Sequence, residues 1–136
     1  MLVTKTFTFD MAHRLTEHKA KCWNIHGHTY KLEVTLMGKL KANGMVIDYT
    51  DLKNVVNEFI DENLDHKYLS NSADEEVIKF MQKSKFALTV VDFEPTAENM
   101  VEWIFDELKD KFGAGVQVYA IKLWETPTSS AEKVLY

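Results

Sequence analysis

Cys22-Trp23-Asn24-Ile25-His26-Gly27-His28-Thr29-Tyr30-Lys31-Leu32-Glu33-Val34-Thr35-Leu36 is the stretch on which the reading of this chain turns. From His26 onward it alternates. His26, His28, Tyr30, Leu32, Val34 and Leu36 fall on one side; Thr29, Lys31, Glu33 and Thr35 fall on the other. Period two with one apolar side marks a half-buried strand. A His-x-His pair sets two imidazoles on the same side of such a strand, where a metal can take both. The only cysteine in the chain, Cys22, stands four residues before His26 and can sit near that metal without binding it.

Residues 2–13 repeat the pattern. Val3, Phe7, Phe9, Met11 and His13 share one face, and Thr4, Thr6, Thr8 and Asp10 the other, with Lys5 the one break. If these two strands pair antiparallel, His13, His26 and His28 converge at one end of the apolar face.

The rest of the chain supplies covering elements. Asn43-Gly44 marks a turn, and residues 45–47 extend the sheet. Leu52, Val55, Val56, Phe59, Ile60 and Leu64 follow helical spacing, with Asp48 or Thr50 as N-cap. Ser72 with Glu75 reads as a capping box opening a shorter helix through about Lys83. Residues 86–93 read as a short strand. Thr96 caps a third helix whose stripe is Ala97, Met100, Val101, Ile104, Phe105, Leu108 and Phe112, and Gly113 and Gly115 stop it. Residues 116–125 and 131–136 form a hairpin around Thr126-Pro127-Thr128-Ser129. Strands, then helices, then strands predict an α+β fold, an antiparallel sheet with helices on one face.

At 136 residues the chain fits one domain able to bury a core without disulfides. Its 46% hydrophobic and 27% charged content is that of a soluble globular protein. No apolar run reaches the roughly 20 residues that cross a bilayer, and the N-terminus lacks a signal-peptide h-region. One cysteine cannot form an internal disulfide, so a cytoplasmic setting is the simplest reading. A net charge of -5 with Arg14 as the sole arginine argues against nucleic-acid binding. A small anionic substrate held by a few lysines remains compatible.

Four features carry chemistry. Three neutral imidazoles leave a zinc position open, as catalytic sites do, and such a metal polarises a substrate oxygen or acidifies a bound hydroxyl. A lone histidine would more simply be a core residue; the paired and parity-matched set favours the metal, with zinc one of several divalent ions that imidazoles suit. Cys22 is either an inert small hydrophobe or, beside Lys19 and Lys21, a stabilised thiolate acting as base or nucleophile. Asp65-His66 is either an oriented imidazole or an ordinary polar helix end. Glu125 shares parity with Tyr119, Ile121 and Leu123. Its carboxylate pairs with a buried group, binds a planar guanidine-like edge in bidentate fashion, or turns to water.

The ordered set Phe9-Asp10-Met11-Ala12-His13, Cys22-x3-His26-Gly27-His28, Ile47-Asp48-Tyr49 with Leu52-Lys53, Leu64-Asp65-His66, Pro95-Thr96-Ala97-Glu98-Asn99 and Glu125-Thr126 spans nearly the whole chain. It resembles the 6-pyruvoyl-tetrahydropterin synthase superfamily. The three-residue gap between Cys22 and His26 is similar to the branch that makes 6-carboxy-tetrahydropterin for queuosine-type biosynthesis. The resemblance implies a tunnelling fold (T-fold), subunits joined sheet to sheet as a dimer of trimers, and active sites between subunits. It implies a reaction in which 7,8-dihydroneopterin triphosphate gives 6-carboxy-tetrahydropterin, acetaldehyde and triphosphate. His13, His26 and His28 match the zinc ligands, and Cys22, Asp65 and His66 a catalytic relay. Glu125 matches the pterin anchor, and Thr96 and Glu98 positions near the pterin. Lys19, Lys21 and Lys67 are triphosphate candidates by proximity in sequence. Residues of about 70–93 stand as an insertion relative to compact relatives. The competing readings are a 6-pyruvoyl-tetrahydropterin synthase, a non-catalytic pterin-binding subunit and a generic three-histidine zinc hydrolase.

Overall fold

The computed structural model describes residues 1–17 and 20–136. Strand β1 (Leu2–His13) runs antiparallel to β2 (His26–Gly38) in continuous register from Leu2↔Met37 to His13↔His26. Alternation therefore does what the sequence implied: Phe7, Phe9, Met11, Tyr30, Leu32, Val34 and Leu36 are all buried on one face. On the other side of β2 lies β5 (Val116–Thr126), antiparallel, and β6 (Ser129–Val134) returns beside it through the expected hairpin.

Two helices cover the apolar face. Helix α1 (Tyr49–Asn63) is capped by Asp48, whose carboxylate accepts from Thr50 N, and buries Leu52, Val56 and Ile60. With α2 the shorter helix Glu75–Lys83, α3 (Ala97–Leu108) is capped by Thr96, whose hydroxyl oxygen accepts from Asn99 N, and buries Met100, Ile104 and Leu108. These residues and the strand face make one continuous core. Gly113 and Gly115, at φ +80° and +81°, turn the chain into β5 where a side chain would be strained.

The other edge departs from expectation. Strand β3 (Lys67–Asn71), not foreseen from sequence, pairs parallel with β1 through Met11↔Lys67 and Ala12↔Tyr68. Strand β4 (Leu88–Val91) pairs parallel with β3, and the order is β4-β3-β1-β2-β5-β6. The sheet is thus antiparallel through four strands and gains a parallel pair at one edge. Between β3 and β4 runs α2 (Glu75–Lys83). Ala12, Tyr68 and Leu88 are in register with one another, on the face opposite Met11, and Val77 and Met81 of α2 pack against them. So α1 and α3 share one face as expected, while α2 covers the other. This explains why β3 carries no alternation: Tyr68, Leu69 and Ser70 are buried in succession, as in strands covered on both faces.

Two local expectations fail. Residues 45–47 add no strand; Asn43 Oδ1 instead accepts from Met45 N and Lys41 N donates to Met45 O, which closes the segment into a turn. The Ser72 capping box does not form. Asp74 occupies the N-cap of α2, and its carboxylate is turned away to Arg14.

Candidate functional site

Register makes His13 and His26 direct cross-strand neighbours, with His28 one pleat further along β2. The three rings stand edge to face, centroids 4.7, 4.9 and 5.4 Å apart. Glu125, near the end of β5, joins them: its Oε1 lies 3.1 Å from His28 Nε2 and 3.5 Å from His13 Nε2. One ligand atom from each of the four residues lies within 4.8 Å of the others.

Backbone carbonyls orient this cluster. His13 Nδ1 is 2.7 Å from Pro95 O, and His26 Nδ1 is 2.7 Å from Asn24 O. A carbonyl only accepts, so both Nδ1 atoms carry protons and both Nε2 atoms present lone pairs. His13 is 1% exposed, and Nε2 of both His13 and His28 is buried without a hydrogen-bond partner among the described residues. The buried His13 Nε2 lone pair facing the Glu125 carboxylate needs a positive charge between them. Protons serve poorly: three imidazolium ions this close repel, and burial pushes the His28 pKa down, with His13 and His26 adding to the effect against Glu125. The imidazoles, His13 first, hold the Glu125 carboxyl below its usual range despite its burial. A divalent metal satisfies this donor set, and the carbonyls beyond the rings are the partners that metal-binding histidines use.

The Asp65-His66 pair forms a second group. His66 Nδ1 lies 2.9 Å from Asp65 Oδ1. Asp65 Oδ1 accepts from Asp10 N, and Asp10 O accepts from His66 N at 2.7 Å, which fixes His66 at φ +58° just before β3. A left-handed non-glycine residue is uncommon, and here the backbone ties impose it. The His66 side chain is 77% exposed, on a cleft of about 560 Å³ lined by Asp10, Gly27, Thr29, Lys67 and Phe86. That volume suits a small-molecule ligand.

The two groups occupy opposite faces of the β1–β2 ribbon, since Asp10 has the parity opposite to His13. Cys22 sits half-buried in the 3-10 turn Lys21–Trp23 and belongs to neither group. Thr96 is engaged as a helix cap, and Glu98 is exposed in the first turn of α3. Lys21 is exposed and Lys67 partly so; Lys19 lies outside the described residues. The carbonyls of Asn24 and Pro95 were beyond sequence reasoning, because a backbone acceptor has no sequence signature. Arg14 did have one, as the lone arginine next to His13.

A curled sheet with helices on its core face, and a carbonyl-oriented three-histidine cluster at the ends of its paired strands, define a T-fold protein with a candidate metal centre. The sequence profile of the 6-pyruvoyl tetrahydropterin synthase family matches residues 2–134, and the chain belongs to that family. It is 40% identical to a Haemophilus influenzae protein named 6-carboxy-5,6,7,8-tetrahydropterin synthase, over 96% of both chains. It is 33% identical to a Rickettsia felis protein of the same name, over 95% of this chain and 96% of that one. Among solved structures, an uncharacterised protein from Wolinella succinogenes superposes with TM-score 0.87 at 24% identity, covering 100% of this chain and 98% of the other. The Caenorhabditis elegans 6-pyruvoyl tetrahydropterin synthase superposes with TM-score 0.75 at 24% identity, covering 100% and 96%. At that identity the structural likeness speaks for the fold.

Proposed function

We propose that this chain is a zinc-dependent lyase converting 7,8-dihydroneopterin triphosphate to 6-carboxy-5,6,7,8-tetrahydropterin, acetaldehyde and triphosphate, in cytoplasmic queuosine-type biosynthesis. The observation that carries it is the His13-His26-His28 cluster, buried at His13 and part-buried at the other two, with two carbonyl-set tautomers and Glu125 at its edge. The bacterial relatives named for the carboxy product support the choice of reaction.

His13, His26 and His28 would hold the metal. Bound zinc would polarise the vicinal hydroxyls of the substrate side chain and acidify the adjacent C–H and O–H bonds. The remaining work falls to protein groups. Cys22 and His66 exchange protons with the side chain and ring, the work of a positioned general acid and base. Asp65 takes the His66 Nδ1–H and leaves Nε2 free for that exchange. Glu125 accepts two N–H bonds from the amino-pyrimidine edge of the pterin. Thr96 and Glu98, following the Pro95 that orients His13, flank the ring. Lys21 and Lys67 meet the triphosphate.

The separation of the Asp65-His66 pair from the histidine cluster supports a site built between subunits. One chain then supplies the metal and thiol and its neighbour supplies the Asp-His pair, in a dimer of trimers.

Glu125→Gln separates anchor from ligand. Loss of a charged hydrogen-bonding pair of about 1.5–3 kcal/mol raises KM roughly 10- to 150-fold. Zinc content, read by atomic emission, stays at the wild-type level. Zinc lost together with the carboxylate would make Glu125 a fourth ligand and remove it as the anchor.

A further inference from the structure

Arg14 directly follows the ligand histidine His13, and its side chain is gripped by Asp74 at the start of α2. Nε donates to Oδ2 at 2.8 Å and an Nη donates to Oδ1 at 2.7 Å, with the side chains only 14% and 6% exposed. A fork this buried is fixed in direction as well as charge. The guanidinium also lies 4.4 Å from the Trp23 ring centroid, a cation–π contact with the residue that follows Cys22. Leu15 N donates to Cys22 O at 2.8 Å, closing the arm of the loop that begins at Arg14 onto the arm that carries the thiol. A second tether holds the same arm: Thr16 N and Oγ1 donate to the Glu94 carboxylate, which also accepts from Asn71 Nδ2. Asn71 ends β3 and Asp74 caps α2, so both tethers run to the β3–α2 segment.

We propose that Asp74 and Arg14 are positioning residues for the Cys22 thiol, through which α2, the helix between β3 and β4, sets the loop carrying that thiol. This rests on the reading of Cys22 as a reacting group. Helix α2 is then part of the site's support. Without the carboxylate the buried guanidinium loses its partner, leaves its place over Trp23, and frees the 3-10 turn. A reacting group displaced by about 1 Å costs on the order of 100-fold in rate.

The test is Asp74→Asn and Arg14→Lys in the zinc-loaded protein, with three readouts well below each variant's Tm: the rate of Cys22 alkylation by iodoacetamide, kcat and KM separately, and zinc content. Asp74→Asn is expected to speed alkylation several-fold and to lower kcat roughly 10- to 100-fold, with KM within about threefold and zinc retained. Arg14→Lys keeps the charge but loses the fork and the stack, and is expected to fall between that variant and wild type. If Asp74→Asn does not fold, Arg14→Lys decides. A mere structural staple would lower Tm and leave the alkylation rate and kcat at wild-type values; that result overturns the proposal. The alkylation arm needs no substrate, so it stands even if the wild-type chain fails to turn over the pterin.

Discussion

His26→Ala is expected to yield a folded protein that neither retains zinc through gel filtration nor turns over substrate. His26 sits at the first position of β2, only partly buried, so alanine leaves the β1–β2 ladder and the core intact. What disappears is a pre-oriented lone pair, set by the Nδ1 bond to Asn24 O. Changes merely beyond the ligand shell already cost about 10- to 100-fold in metal affinity, so removing one of three imidazoles exceeds that. Melting in chelator should match wild type in chelator. A variant that keeps stoichiometric zinc would place the metal elsewhere.

Cys22→Ala is expected to do the opposite: full zinc, ordinary stability, and turnover reduced by about 10²- to 10⁴-fold, the usual worth of a positioned acid–base group. The thiol lies outside the histidine cluster, so the metal does not depend on it. Metal loss in this variant would make Cys22 a ligand. Because the Asp65-His66 pair lies on the other face of the sheet, mixed oligomers reassembled from Cys22→Ala and His66→Ala chains should regain activity. Each mixed contact can carry one intact set. Separate oligomers of either variant stay inactive.

Parity carried most of the site. Alternation in 2–13 and 26–37 put His13, His26 and His28 on one face because an antiparallel pair of half-buried strands has no other way to satisfy both patterns. The Thr96 and Asp48 caps were legible for a similar reason: their side chains act within two or three residues. What escaped was non-local. Lys67–Asn71 carried no strand signal because the strand is covered on both faces, which erases period two. Ser72-Ala73-Asp74-Glu75 satisfied a local capping pattern, yet Asp74 is claimed by Arg14, sixty residues earlier in the chain. The placement of α2 on the reverse face followed from the parallel pairing of β3 and β4, and no local signal announces such pairing. The proposed relay of Cys22, Asp65 and His66 came from the family resemblance, and no local signal placed Asp65 and His66 on the face opposite the histidines.

The mass of the pterin product formed from 7,8-dihydroneopterin triphosphate by the zinc-loaded protein is the most direct test. The expected result is 6-carboxy-5,6,7,8-tetrahydropterin with an equivalent of acetaldehyde. A product retaining the three-carbon side chain as 6-pyruvoyl-tetrahydropterin, or substrate bound and recovered unchanged, would contradict it.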